Sequence, residues 1–292
     1  MKRNLSDEPV CRVCGSRDQF ALVQRNTVPV NQHSLMDSAE SARAIPRGRL
    51  NMRLCRKCGF VFNAAFDPAL VSYDETYDNS QVYSASFSDY AERLATTLVY
   101  DKHVRDCRIA EIGCGKGHFL RRLIELDSGN RGRGYDPSHI GLPSEFDGRL
   151  QFHKAFYDGQ NAGADTDVII CRHVIEHIDR PLEFLSMVRS TLNGGNARIF
   201  FETPCVEWIL RQRVVWDFFY EHCSLFSATS LTEAFQRAGF DVVSVEHVFA
   251  GQYLWLEATP REPGTVRKSV RRPSVTVEVS SPSEAMASQG QR

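Results

Sequence analysis

The stretch Glu111-Ile112-Gly113-Cys114-Gly115-Lys116-Gly117 sets a carboxylate and three glycines at the end of an apolar run, 108–112. Glycine belongs where a chain turns sharply and where a ligand must touch the main chain. Asp136 ends the next apolar run, 131–135, where its carboxylate can accept hydrogen bonds from ribose hydroxyls. Together these residues predict a nucleoside pocket at the carboxyl edge of a sheet. A dinucleotide is disfavoured, because its fingerprint is G-x-G-x-x-G, whereas the glycines here stand at 113, 115 and 117.

Two further groups of residues carry chemistry. Cys11-Arg12-Val13-Cys14-Gly15 and Cys55-Arg56-Lys57-Cys58-Gly59 each form a knuckle in which two thiolates can meet one tetrahedral zinc ion, with glycine easing the turn. Four sulfurs close the coordination sphere, so Cys11, Cys14, Cys55 and Cys58 predict a structural zinc site rather than a catalytic one. Titratable side chains gather in two other places. Cys171-Arg172-His173-Val174-Ile175-Glu176-His177-Ile178 follows one apolar run, and Phe218-Phe219-Tyr220-Glu221-His222-Cys223-Ser224-Leu225-Phe226-Ser227 follows another. Both fall where parallel sheets bind ligands, and a base there could take a proton from an acceptor.

The elements that must position these groups follow from periodicity. Short apolar runs at 108–112, 131–135, 150–154, 167–171, 197–202, 240–247 and 252–258 predict strands, and helical patterns at 117–126, 181–192 and 229–238 lie between them. Pro181 opens one helix and Gly239 closes another, the expected punctuation. Alternation of this kind predicts an α/β fold with a parallel sheet. The last two runs are too close for a helix between them and predict an antiparallel pair at one edge. Residues 1–65 predict a small zinc-stapled module, and 66–106 a linker rich in Tyr73, Tyr77, Tyr83 and Tyr90 that turns helical through 90–99. Residues 107–259 form the main domain, and 260–292 have too few large apolar residues to fold, predicting a disordered tail.

With 35 basic and 36 acidic residues the chain has no overall field to attract polyanions, so nucleic acid is an unlikely partner. No apolar run is long enough to cross a membrane, and Met1-Lys2-Arg3-Asn4-Leu5-Ser6-Asp7-Glu8 lacks the apolar core of a signal peptide. Nine cysteines, four of them in knuckles, fit reduced thiols; the expected location is cytoplasmic.

An acidic residue just ahead of G-x-G-x-G resembles motif I of class I methyltransferases, and the order of the later segments agrees, including Leu192-Asn193-Gly194-Gly195 as the turn before a fifth strand. The resemblance covers roughly residues 107–258 and implies a Rossmann-like sheet, S-adenosyl-L-methionine as cofactor, and Glu111, Gly113, Gly115, Gly117, Asp136 and His173 as its contacts. The whole chain, with its double Cys-x-x-Cys module, Tyr-rich linker and Tyr220-Glu221-His222 ahead of Phe226-Ser227, resembles the zinc-containing sugar C-methyltransferases of deoxysugar biosynthesis. That resemblance implies a small-molecule acceptor, a keto sugar nucleotide or related compound. His222, with Glu221 beside it, would remove the proton next to the ketone, and His177 and the linker tyrosines, notably Tyr77, would contact the substrate. The chain departs from the family at position 219, a Phe where a tyrosine is usual, and after residue 260, where members carry a further domain and only the polar tail is expected here. Oxygen or nitrogen acceptors, and a zinc-containing RNA methyltransferase, are the alternatives.

Overall fold

β-Branched and aromatic runs bounded by turn residues become strands, and their continuous apolar character reflects burial on both faces. The computed structural model of the chain describes residues 9–32, 36–73, 77, 81, 83–159, 165–192, 197–262 and 264–265. The turn expected at 193–195, the start at 1–8 and nearly all of the expected tail lie outside the described residues.

A four-stranded antiparallel sheet comes first: β1 (Gln19–Pro29), β2 (Arg47–Cys55) and β3 (Val61–Asn63), with α1 (Ala39–Ala44) between β1 and β2. Helix α2 (Ala85–Thr96), capped by the Ser84 side chain, starts before the periodicity suggested and runs into a wider turn over Thr97–Asp101. The second sheet then builds up through β4 (Arg108–Ile112), α3 (His118–Leu126), β5 (Arg131–Tyr135), the short β6 (Ser144–Glu145), β7 (Leu150–His153), β8 (Val168–Arg172), α4 (Pro181–Thr191) and β9 (Arg198–Pro204). After α5 (Val206–Gln212) come β10 (Ser224–Leu225), α6 (Ala228–Arg237), β11 (Phe240–Val248) and β12 (Tyr253–Pro260). The eight strands lie in the order β11-β12-β9-β8-β4-β5-β7-β6. Strands β9, β8, β4, β5 and β7 are parallel, and β12 runs antiparallel to both β9 and β11. This is the Rossmann-like sheet expected, and the closing pair lies at its edge with β11 outermost.

Two seams join the sheets. Strand β10, from far downstream, pairs with β3 through Ser224↔Phe62 and Leu225↔Val61 and completes the N-terminal sheet. Tyr220 packs its ring on β2 where residue 48 is Gly: a Cβ there would lie 2.2 Å from the ring. The Tyr220 hydroxyl also accepts from the backbone N–H of Asp67 at 2.8 Å. The buried Phe60, Phe62 and knuckle cysteines belong to the same apolar cluster as Phe226, Leu231 and Phe235 under the large sheet. A separate cluster on the other sheet face packs Tyr90 and Leu94 of α2 and Leu120 and Leu123 of α3 against Ile109, Ile170 and Phe200. Among the described residues, no helix is long and apolar enough to cross a membrane.

Candidate functional site

A cavity of about 520 Å³ opens over the carboxyl ends of β4, β5 and β8 and is covered by the first turns of α2. Its floor is the glycine loop, and two glycines are needed there for different reasons. Gly113 has φ +70° and lies so close to Val174 that a Cβ would come within 2.1 Å of that side chain; Gly115 has φ +52° and nothing within 4 Å of its Cβ position. The first lets β4 pack against the loop after β8, and the second leaves main chain open to a ligand. Asp136 lies across from them, accepting from the Gly115 N–H at 2.8 Å and from the Ser138 N–H and hydroxyl at 2.8 and 2.7 Å. A carboxylate has about four lone-pair sites, so it ties the β4 and β5 loops together and keeps capacity for a ligand.

Glu111 ends β4 under this loop. It is 3% exposed, and its Oε2 has no hydrogen-bond partner among the described residues. Burial, helped by the nearby Asp136 and opposed by Arg172, pushes its carboxyl up to about 8. A buried acid left without a partner is costly, and a cationic or hydrogen-bond-donating ligand group would remove that cost.

Beside it lies a set of buried charges. Arg172, at the end of β8, donates from Nε to Glu202 of β9 at 2.6 Å. Tyr90 of α2 donates to the other Glu202 oxygen at 3.0 Å, and His173 Nε2 lies 3.4 Å from that oxygen. Burial alone would raise the Glu202 carboxyl, but Arg172 and His173 outweigh it and hold the group well below the ordinary range. Burial would likewise lower His173, yet Glu202 and Glu176 push it up to about 9. Glu176 in turn accepts from the Thr203 hydroxyl at 3.1 Å.

The cavity lining also includes Tyr73, Tyr77 and His177. The Tyr73 hydroxyl and His177 Nδ1 are 3.2 Å apart, and the Tyr73 and Tyr77 rings meet edge-on at 5.0 Å. Behind His177 lies His222, at 5.1 Å between ring centroids, sandwiched on its other side by Phe219 at 3.9 Å. Ligand-type atoms of Glu176, His177 and His222 lie within 4.8 Å of one another. Glu221 is fully buried, accepts from the Gln32 N–H at 2.7 Å, and has its carboxyl raised by burial.

Of the residues singled out by sequence, Glu111, Gly113, Gly115, Asp136, His173, His177 and Tyr77 line the cavity. Gly117, φ +80°, caps α3 just beneath it, against Phe152. His222 and Glu221 are not among the lining residues; His222 packs behind the lining residue His177, and Glu221 is fully buried against the Gln32 backbone. Tyr73 and Tyr90 belong to the linker tyrosines expected near the substrate, whereas Arg172 and Glu202 were given no role from the sequence. For Glu202 the signal was a single carboxylate inside the apolar strand Arg198-Ile199-Phe200-Phe201-Glu202; the partners of such a charge come from elements far off in sequence.

The cysteines converge as expected. Cys11 and Cys58 sulfurs are 3.7 Å apart, those of Cys14 and Cys55 3.5 Å, and all four lie within 4.8 Å of one another. A zinc ion with sulfurs at ~2.3 Å gives sulfur–sulfur edges of about 3.8 Å. The knuckles are twins: the Gly15 N–H donates to the Cys11 carbonyl and the Gly59 N–H to the Cys55 carbonyl, each at 2.9 Å, and both glycines have positive φ. The closeness of the thiols pulls Cys11 down and Cys58 up, as expected when neighbours cannot all ionise without a cation between them.

Residues 80–245 match the methyltransferase-domain family, and the chain belongs to that family. Among curated proteins it is similar to the tRNA U34 carboxymethyltransferase of Campylobacter fetus subsp. fetus (strain 82-40), 26% identical over 113 residues, which cover 36% of this chain and 39% of that protein. It is also similar to the mitochondrial ubiquinone biosynthesis O-methyltransferase of Schizosaccharomyces pombe, 25% identical over 103 residues, 33% of this chain and 37% of that protein. The chain thus spans about two fifths of the length of these relatives. Similar solved structures include the magnesium protoporphyrin IX methyltransferase of Synechocystis PCC 6803, with 16% identity, 61% of this chain and 84% of that chain covered, and a TM-score of 0.46. Another is the 1,6-didemethyltoxoflavin-N1-methyltransferase of Burkholderia thailandensis, with 18% identity, 61% and 82% covered, and a TM-score of 0.45.

The two loop glycines should respond differently to substitution. Gly113→Ala adds a clash to a left-handed backbone and should abolish ligand binding or cost several kcal/mol of stability, whereas Gly115→Ala should cost only the backbone strain, about 1–2 kcal/mol. Urea denaturation of the two variants measures the difference.

Proposed function

We propose that the protein transfers the methyl group of S-adenosyl-L-methionine to a small molecule. The observation that carries this reading is the buried Glu111 oxygen without a partner among the described residues, set under a glycine loop in a cavity that Tyr73, Tyr77 and His177 also line. Glu111 and the Gly113–Gly117 turn would hold the amino-acid part of the cofactor, and Asp136 its ribose. The cofactor supplies, when bound, a methyl group on a positively charged sulfur that can be displaced in line. The chain's part is to hold both molecules in register and exclude water, and aromatic walls such as Phe87, Phe156, Tyr157 and Phe184 suit that task.

For the acceptor we favour a group that must lose a proton as it takes the methyl, such as the carbon next to a ketone in a sugar nucleotide or related compound. The support is the pairing of His177 with His222 and Glu221 behind it, an arrangement able to remove a proton and hold the resulting charge. A hydroxyl or amine on a planar ring is the second reading, favoured by the aromatic lining. The four knuckle thiols would hold a structural zinc ion, and residues up to about 65 then act as a stapled module of the same fold.

Replacing His222 or His177 by Ala should leave S-adenosylmethionine binding intact by calorimetry and lower turnover by at least ~100-fold; full turnover in His222→Ala would rule out its role as base. Glu111 gives a pH test. In the ligand-free protein its carboxyl is neutral below about 8, so taking up an ammonium group requires proton release, and affinity should rise by up to ~10-fold per pH unit between about 6 and 7.5. Glu111→Gln should flatten that slope. Cys55→Ser should remove zinc in metal analysis and lower the melting temperature, while retention of a full equivalent would refute the four-sulfur site.

A further inference from the structure

Cys205, Glu207 and His247 bring a thiol, a carboxylate and an imidazole together away from the cavity lining. One ligand-type atom of each lies within 4.8 Å of the other two. Cys205 directly precedes α5, Glu207 belongs to the first turn of that helix, and His247 comes from β11, the strand at one edge of the large sheet. Only the fold groups them, because β11 returns to the sheet far downstream of α5.

Two of the three are held in place. Cys205 is fully buried; its N–H donates to the Gln252 carbonyl at 2.9 Å, and it bridges to Phe226 ahead of α6. Glu207 Oε2 accepts from the Ala228 N–H at 3.3 Å. That oxygen is 3.8 Å from the Cys205 sulfur and 3.8 Å from His247 Nε2. An imidazole nitrogen so far from a carboxylate makes no hydrogen bond; the spacing suits a shared cation better. Zinc with sulfur at ~2.3 Å and oxygen or nitrogen at ~2.0 Å sets neighbouring ligand atoms about 3.3–3.5 Å apart. His247, its side chain 36% exposed, has room to turn inward and close the remaining gap.

A thiolate with an imidazole and a carboxylate is a set that zinc accepts and that magnesium and calcium do not favour. Three protein ligands leave a fourth position, which water reaches past the partly exposed His247. We propose that Cys205, Glu207 and His247 bind a zinc ion together with a water molecule, the thiol releasing its proton to solvent as the ion enters. This ion is separate from the one assigned to the four-sulfur cluster and exchanges more readily, having a single thiolate. It pins the start of α5 to β11. Val206, Ile209 and Phe218, in α5 and the turn after it, share an apolar cluster with Leu50 and Met52 of the N-terminal sheet, and the chain then enters Tyr220-Glu221-His222. Zinc at this place therefore ties the edge of the large sheet to the segment that joins the two sheets. The proposal rests on neither the cofactor reading nor the acceptor reading.

Cobalt(II) is the probe, because a thiolate bound to it gives a charge-transfer band in the near ultraviolet. Protein holding one equivalent of zinc should take up one cobalt ion with that band while its zinc stays bound, as the order of affinities favours. His247→Ala, a change at the surface checked for folding by its thermal transition, should weaken this uptake at least ~10-fold. Cys205→Ala should abolish the band. No cobalt uptake beyond exchange for zinc, or cobalt held without the band, would overturn the proposal. So would a band of equal strength and affinity in His247→Ala, or one that Cys205→Ala retains in full.

Discussion

Glu202 is a carboxylate with no contact with solvent, and the cavity floor depends on what surrounds it. Arg172 reaches it from β8, His173 from the loop just beyond, and Tyr90 from α2, so one anion ties two strands and the covering helix together. Burying a charge costs several kcal/mol unless its partners are well placed. Here Arg172 and Tyr90 each donate to one oxygen and the His173 imidazole lies in ionic contact with the second, so removing one would leave the rest of the set uncompensated. Alignment of α2 over the glycine loop is thereby coupled to the register of β8 and β9, which in turn places Glu111, Arg172 and His173 around one space. A floor built from apolar residues would pack as well, but it would offer nothing to a charged ligand.

A second constraint comes from the N-terminal knuckles and acts on the loop that follows β8. Arg12, between the first two cysteines, pairs with the Asp179 side chain and donates to its carbonyl at 3.1 Å. The Ser224 hydroxyl of β10 donates to the Ile178 carbonyl at 2.7 Å, and the Ser227 hydroxyl, which caps α6, donates to the Cys58 carbonyl at 3.3 Å. Residues 178 and 179 immediately follow His177 in the chain, so this side chain hangs from a segment clamped by the knuckle module and by β10. The four-sulfur cluster lies outside the cavity lining, yet it shapes the cavity mechanically. That explains why a region with little core of its own shares Phe60 and Phe62 with the methyltransferase core.

The sheet was legible in the sequence because short runs bounded by turn residues alternate with helical patterns, and because the glycine turn and Asp136 mark the ends of β4 and β5: these two were placed to the residue, and β7 and β8 to within one. Elements whose definition is non-local were not. Strand β10 is two residues long and exists only because β3 is there to pair with it, and α5 and β6 are too short for periodicity to show. Within the site, glycines and Asp136 were legible because backbone geometry demands those residue types at those spacings. Arg172 and Glu202 were not, because a buried ion pair has no sequence spacing: its members are 30 residues apart and meet only through the β8–β9 register.

The placement of His222 shows the same limit from the other side. Motif resemblance marks Glu221 and His222 as a functional pair, but only the fold shows that neither lines the cavity and that His222 packs against the lining residue His177. Two imidazoles in edge contact, with Tyr73 on one and Phe219 against the other, would act under the proposed reading as a short relay rather than a single base. In such a relay the outer ring would meet the acceptor while the inner ring would influence how readily it takes a proton. Under that reading the cavity divides its work, with Glu111 and Arg172 beside the glycine loop serving the donor and His177 with the tyrosines serving the acceptor. Methyl transfer needs that division of labour, since the donor's charge must be held still while the acceptor's proton moves.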